Sequence, residues 1–143
     1  MSFNAFEEYA AHIGMMAEVM SETQNSDYES GIAKFGNEMW HIRTSRNTPT
    51  KPGAFVAFWT REQSGDTGPF NSENVHAGLF VFVEQLGKRG VFRFTAKHLD
   101  QLGIISGQRS GKRGFRVYPS WCVQLNPQAQ ATQKAQAPAF QEY

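Results

Sequence analysis

The run from Gly107 to Trp121 constrains this chain more than any other stretch. Gly107, Gly111 and Gly114 alternate with Arg109, Lys112 and Arg113. Glycines let a backbone approach a bulky anion, and the interleaved side chains supply charge and forked donors around it. The chain then becomes a short strand, Phe115 to Tyr118, which the ring of Pro119 closes because it has no N–H to give a ladder. A flexible basic loop on a rigid aromatic strand suits a polyanion with flat bases, which is nucleic acid. The same residues also describe a solvated hairpin loop with a buried strand behind it, and both readings stand at this point.

The 143 residues amount to one domain with room for a core. Twelve phenylalanines and three tryptophans exclude wholesale disorder. No apolar run approaches the roughly eighteen residues of a membrane span, and no basic-then-apolar leader is present. The single cysteine, Cys122, can form no internal disulfide and nearly excludes a cysteine-based zinc site. A structural thiol beside Trp121 and a cytoplasmic location are the expectations.

Charge is unevenly spread. Residues 1–30 hold six acids and neither Lys nor Arg, whereas residues 31–116 hold thirteen basic residues against six acids, a balance of +7. Either the second half meets an anionic partner, or an acidic helix packs on a basic sheet.

Asn4 with Glu7 three residues on predicts a capping box. Phe6, Tyr9, Ile13, Met16 and Met20 form one helical stripe running to about Ser21, which Gly14 weakens. From Tyr28 the period turns towards two. Tyr28 to Phe35, a tight turn at Gly36-Asn37, and Met39 to Thr44 predict a hairpin. Ala54 to Thr60 is nearly continuous apolar surface, which predicts a central strand covered on both faces. A long polar loop around Phe70 follows, then a buried strand from Gly78 to Glu84. Gly87 to Gly90 predicts a basic turn, with Val91 to Phe94 returning antiparallel. Thr95 caps a short helix through Leu102, and Gly103 suits its exit. Asn126 to Ala139 is rich in Gln, Ala and Pro, and predicts a tail that is partly helical at most. The expected division is therefore a domain over 1–125 and a tail over 126–143.

Several of these segments together resemble the MepB family. They are Thr48-Pro-Thr-Lys51 with Gly53 and Phe55-Val56, then Trp59, Arg61, Pro69-Phe70, Gly90-Val-Phe92 and Gly103-Ile104. Most specific is Gly111 to Pro119, ending at Trp121. The resemblance spans about Phe6 to Trp121 and leaves the tail outside. Gly107-Gln-Arg109 differs from the loop expected there, and Cys122 stands where members commonly carry an aspartate. The resemblance implies a small bacterial cytoplasmic protein, in some species encoded beside a multidrug efflux pump and its repressor. It also implies a restriction-endonuclease-like α/β core: a mixed sheet of about six strands, an N-terminal helix, and a second short helix in a crossover. A nucleic-acid-binding role is implied with it.

A nuclease of that kind needs two metal-binding acids and a lysine, usually as acid-x-Lys on one face of a strand. The residues two before Lys34, Lys51, Lys88, Lys97, Lys112 and Lys134 are Ile, Pro, Leu, Thr, Ser and Thr, so the signature is missing. The glutamine variant occurs only at a predicted helix end, as Glu22-Thr-Gln24. Asp27 and Glu29 would share a strand face and offer oxygens to Mg²⁺, or else lie solvated or pair with Arg43. The four histidines have no ligand spacing.

Arg43, Arg46 and Lys51 join Lys112, Arg113 and Arg116 as the candidate nucleic-acid-binding residues, on condition that their two loops meet at one sheet edge. For Arg116, within a strand, a structural stack is the better expectation. The leading expectation is a catalytically degenerate nuclease-like domain that binds nucleic acid, DNA before RNA, without a cofactor. Two others stay open. One is a divergent magnesium-dependent hydrolase using Asp27, Glu29 and Lys51, and the other is a module for an acidic protein partner.

Overall fold

In the computed structural model, which describes residues 3–22 and 28–143, a mixed sheet is covered by a helix on one face and by a smaller sheet on the other. The six-stranded sheet has the order β1 (Glu18–Ser21), β2 (Gly31–Phe35), β3 (Glu38–Thr44), β8 (Gly78–Gln85), β9 (Lys88–Thr95) and β11 (Phe140–Glu142). Its pairs are antiparallel except β3 with β8, which run parallel with Ile42 opposite Phe80. A parallel pair needs a crossover. Here the crossover carries β4 (Arg46–Asn47), β5 (Ala54–Ala57), β6 (Thr60–Arg61) and β7 (Thr67–Gly68). The short helix α2 (Ala96–Gln101) instead follows β9, so the expected helical crossover is corrected. Strand β10 (Gly114–Val117) joins β5 and β4 in the smaller sheet, in the order β10-β5-β4.

The central strands read as apolar runs because both of their faces are covered. On β8, Leu79, Val81 and Val83 pack towards Val56, Phe58, Phe92, Phe94, Leu99 and Phe115. Phe80 and Phe82 point the other way, towards Phe6, Tyr9, Trp40 and Ile42 under the N-terminal helix α1 (Asn4–Ile13).

Helix α1 is shorter than its stripe predicts. Gly14 takes the left-handed conformation at φ 67° and closes the helix back onto Ala10 and Ala11, a conformation that only glycine adopts without cost. Beyond it Met16 is 94% exposed and Met20 half-exposed, and the chain enters β1 instead of continuing the helix. The predicted capping box also fails. Asn4 is already helical, and buried Phe3 stands at the N-cap with its carbonyl accepting from Glu7 N at 2.9 Å. At α2 the reading holds, with Thr95 Oγ1 accepting from His98 N at 3.1 Å. The predicted basic turn moves back by two residues to Leu86-Gly87, which places Lys88 and Arg89 inside β9.

The tail is the main correction. Asn126 caps α3 (Pro127–Gln136) by accepting from Ala129 N at 2.8 Å, a single 3₁₀ turn follows, and β11 pairs with β9. Glutamine amides, with buried Ala129 beside them, hold α3. Buried Gln136 accepts from Tyr118 N and donates to Arg116 O, sealing the open edge of β10 as a neighbouring strand would. Gln133 donates to the carbonyls of Pro119 and Cys122. The ring of Phe140 lies 4.8 Å from Phe92 and 5.5 Å from Trp121. Tyr143 packs 5.1 Å from Tyr9, and burial pushes its phenol up to about 12 against the lowering pull of Arg89. No helix among the described residues is long and apolar enough to cross a membrane.

Truncation after Leu125 removes these anchors. Two half-buried aromatics and the buried amide contacts of Gln136 are together worth roughly 4 kcal/mol. At a few degrees per kcal/mol, the melting temperature in a circular dichroism scan is expected to fall by about 10 °C. A truncated chain melting within about 2 °C of the full chain would show the docked tail to be energetically idle.

Candidate functional site

Alternation along the smaller sheet decides which side chains are available. Ala54 and Val56 of β5, with Phe115 and Val117 of β10, point into the core. Phe55 and Ala57, with Gly114 and Arg116, therefore occupy the opposite face. The sequence-based expectation that this segment is covered on both sides is corrected by that pattern. Register then builds a row: Arg46 is opposite Phe55 on one side, and Arg116 is opposite Phe55 on the other.

Beside this face lies a groove of about 760 Å³ between β10 and α3. Arg109, Lys112 and Arg116 line it with Phe55 and Tyr118, and no carboxylate is among the described residues that line it. The basic loop is held open from behind. Gln108 N donates to Asp100 Oδ1 at 3.1 Å, Arg109 Nη1 to Gln101 O at 3.2 Å, and Lys112 N to Ile104 O at 2.8 Å. Arg116 donates through Nη2 to Thr48 Oγ1 at 2.5 Å and to Pro52 O at 2.9 Å. The condition set by the sequence is met in part, since the 48–52 loop does meet β10.

The six basic candidates separate. Arg46 is exposed, its guanidinium 5.8 Å from the ring of Tyr28. Lys112 is exposed in the groove. Arg113 turns to the other side of the Gly114 step and donates from Nε and Nη2 to Thr67 O. Lys51 is exposed but lines a separate hollow with Gln85, Trp121 and Cys122. Burial pushes the Cys122 thiol up, a structural thiol's behaviour.

Arg43 is a correction, because its side chain is fully buried and cannot reach an external phosphate. Its Nη1 and Nη2 donate to the two oxygens of Glu22 at 2.5 and 3.3 Å, and its guanidinium lies 5.2 Å from the ring of Phe58. The physical reason is strand parity: β3 sends Trp40 and Ile42 towards α1, and His41 and Arg43 into the space between the sheets. His41 Nε2 faces Asn74 O at 3.0 Å and so donates to it, while Nδ1 lies 3.3 Å from Glu22 Oε1. Desolvation would raise the Glu22 carboxyl, but the His41 hydrogen bond and the Arg43 charge outweigh it and hold the group below its ordinary 4.5. His76 stacks 5.4 Å from His41, and desolvation followed by repulsion from His41 lowers it below 6.5.

Of the expected metal pair, Asp27 lies outside the described residues. Glu29 has a left-handed backbone at φ 49°, and its Oε1 is buried with no hydrogen-bond partner among the described residues. Among those residues no group of three His, Cys, Asp or Glu side chains is placed to hold a metal ion.

Sequence reading missed Phe55, Tyr118 and α3 as walls of the groove. Alternation over Ala54 to Ala57 was the available signal for Phe55, hidden because alanine and phenylalanine both read as apolar.

Removing the carboxylate under Arg43 leaves a buried charge without its partner. Glu22→Gln is expected to cost about 3–5 kcal/mol at pH 7 in urea unfolding. Because the folded-state group lies below its unfolded value, its contribution is present above pH 4.5 and is lost as pH falls through the depressed value. The variant should lack that acid-side component. A cost under about 1 kcal/mol would contradict a stabilising role for the pair.

The sequence profile of the MepB-like family matches residues 22–142. That range continues through α3 and β11, past Trp121, where the sequence resemblance stopped. A solved structure described as the crystal structure of MepB is similar at 32% identity with a TM-score of 0.87, over 99% of this chain and 97% of that one. No curated protein matches the chain by sequence.

Proposed function

The chain belongs to the MepB-like family, and on that premise we propose that it is a nucleic-acid-binding protein. On this reading it is a restriction-endonuclease-like domain without catalysis that holds phosphates along β10. The observation that carries the reading is the groove itself, with Arg109, Lys112 and Arg116 on its walls and no carboxylate among the described residues that line it. Cations gathered on a concave wall raise the local concentration of an anion, and each phosphate neutralised releases condensed counterions. Arg46, on β4 in the same cross-strand row as Phe55 and Arg116, extends the same positive face across β5. Binding of this kind needs no cofactor, and DNA is the first ligand to try. We place the activity in the bacterial cytoplasm, where a lone thiol such as Cys122 stays reduced.

Salt dependence tests the proposal directly. With about four phosphates neutralised, log K against log salt should fall with a slope near −3.6 for duplex DNA and about −2.8 for a single strand. Fluorescence anisotropy with both ligands measures it. Arg109→Ala with Lys112→Ala should reduce the slope by about 2 and weaken all sequences alike. Absence of binding to either ligand at low salt would overturn the proposal. An equal loss from Lys88→Ala with Arg89→Ala would move the site to the β8–β9 hairpin.

A further inference from the structure

Phe55 is a partly exposed phenylalanine in the middle strand of a three-stranded sheet, on the face turned away from the core. Its cross-strand neighbours are both arginines, Arg46 on β4 and Arg116 on β10. The ring reaches across β10 and covers Gly114. A Cβ at position 114 would stand 2.5 Å from Phe55 Cζ and 3.1 Å from Val56 O, so only a glycine there lets the ring reach over the strand. Tyr28 meets the ring edge-on at 6.5 Å and carries the Arg46 guanidinium on its own face. Phe55 thus lies in the wall of the same groove as Arg109, Lys112 and Arg116.

A partly exposed ring on a strand whose cross-strand neighbours are both arginines is poorly placed for a protein core and well placed for a ligand that is both flat and anionic. A nucleotide is such a ligand, since the base offers a π-face and its phosphates lie to either side. In a duplex the base faces are stacked inside, and only edges and backbone can be reached. In a single strand they are free to stack on an aromatic side chain, which is how sequence-tolerant single-strand sites are built. The groove volume of about 760 Å³ is that of a small-ligand cleft. That is room for a nucleotide or two.

We propose that the β10 groove takes a single nucleic-acid strand, with one base stacked on Phe55 and the flanking phosphates on Arg46, Lys112 and Arg116. This rests on the nucleic-acid reading above and adds strandedness to it. DNA and RNA strands share the chemistry, and the arms of the test separate them.

The experiment compares full-length protein binding to labelled oligo-dT, oligo-U and a duplex of equal length at one low salt concentration. The wild type is expected to prefer a single strand to the duplex by about tenfold or more. Phe55→Ala should weaken single-strand binding roughly 5- to 100-fold and bring the preference towards unity, while Phe55→Trp keeps it. Phe55→Leu retains apolar bulk without a π-face, and should lose the preference with an unchanged melting temperature if alanine unsettles the sheet. Equal affinity of Phe55→Leu and wild type for both strands would overturn the stacking inference. If Arg109→Ala with Lys112→Ala still weakened every ligand, phosphate binding would survive that result. A wild type that binds none of the three would instead sink the nucleic-acid reading itself.

Discussion

The bidentate contact between Glu22 and Arg43 is the interaction on which the arrangement of the layers depends. It joins the residue that leaves β1 to the second-to-last residue of β3, two strands away in the large sheet, on the face turned towards the smaller sheet. Two charges taken out of water there must satisfy each other, and His41 supplies a third hydrogen-bonding group to the same carboxylate. The guanidinium then offers its face to Phe58, which stacks on Phe70 at 4.2 Å. Phe58 N in turn donates to Arg113 O at 2.9 Å. A polar contact on the large sheet is in this way connected to the start of β10 and the basic loop.

With that spacing fixed, parity does the remaining work. The smaller sheet turns Ala54, Val56, Phe115 and Val117 inward, and Arg46, Phe55 and Arg116 can only turn outward. Gln85 ties the same layer down at one corner, donating to Gly53 O at 2.8 Å and accepting from Trp121 Nε1 at 3.0 Å. The exposed edge of β10 would invite pairing with another chain. Gln136 closes that edge with one amide, and the rest of α3 stands off far enough to leave the groove.

Much of this was legible in the residues. Strand β8, the β2–β3 hairpin, the Thr95 cap and the strand ending at Pro119 all follow from short-range patterns, and the mixed sheet followed from the family resemblance. What escaped has physical reasons. A helical stripe continued through Met16 and Met20 because periodicity does not register that Gly14 in the left-handed conformation ends a helix. The C-terminal segment from Asn126 to Ala139 lacks Ile, Leu and Val, and its composition predicts a tail that is partly helical at most. It docks through glutamine amides, a long-range complementarity that composition does not express. Arg43 was expected at the surface because arginine usually is, and its burial depends on Glu22, twenty-one residues earlier. The basic loop was found by its spacing, whereas the groove required α3, which the sequence placed outside the domain.

The central claim is that an anionic strand lies along β10, against the face that carries Phe55. Titrating oligo-dT into isotope-labelled protein and following the amide resonances tests it position by position. The account predicts shifts concentrated at Arg46, Phe55, Arg109 to Arg116 and the facing side of α3, with Arg43 and the α1 face unmoved. Shifts centred on Lys88, Arg89 and Tyr143, or an unchanged spectrum at low salt, would contradict it.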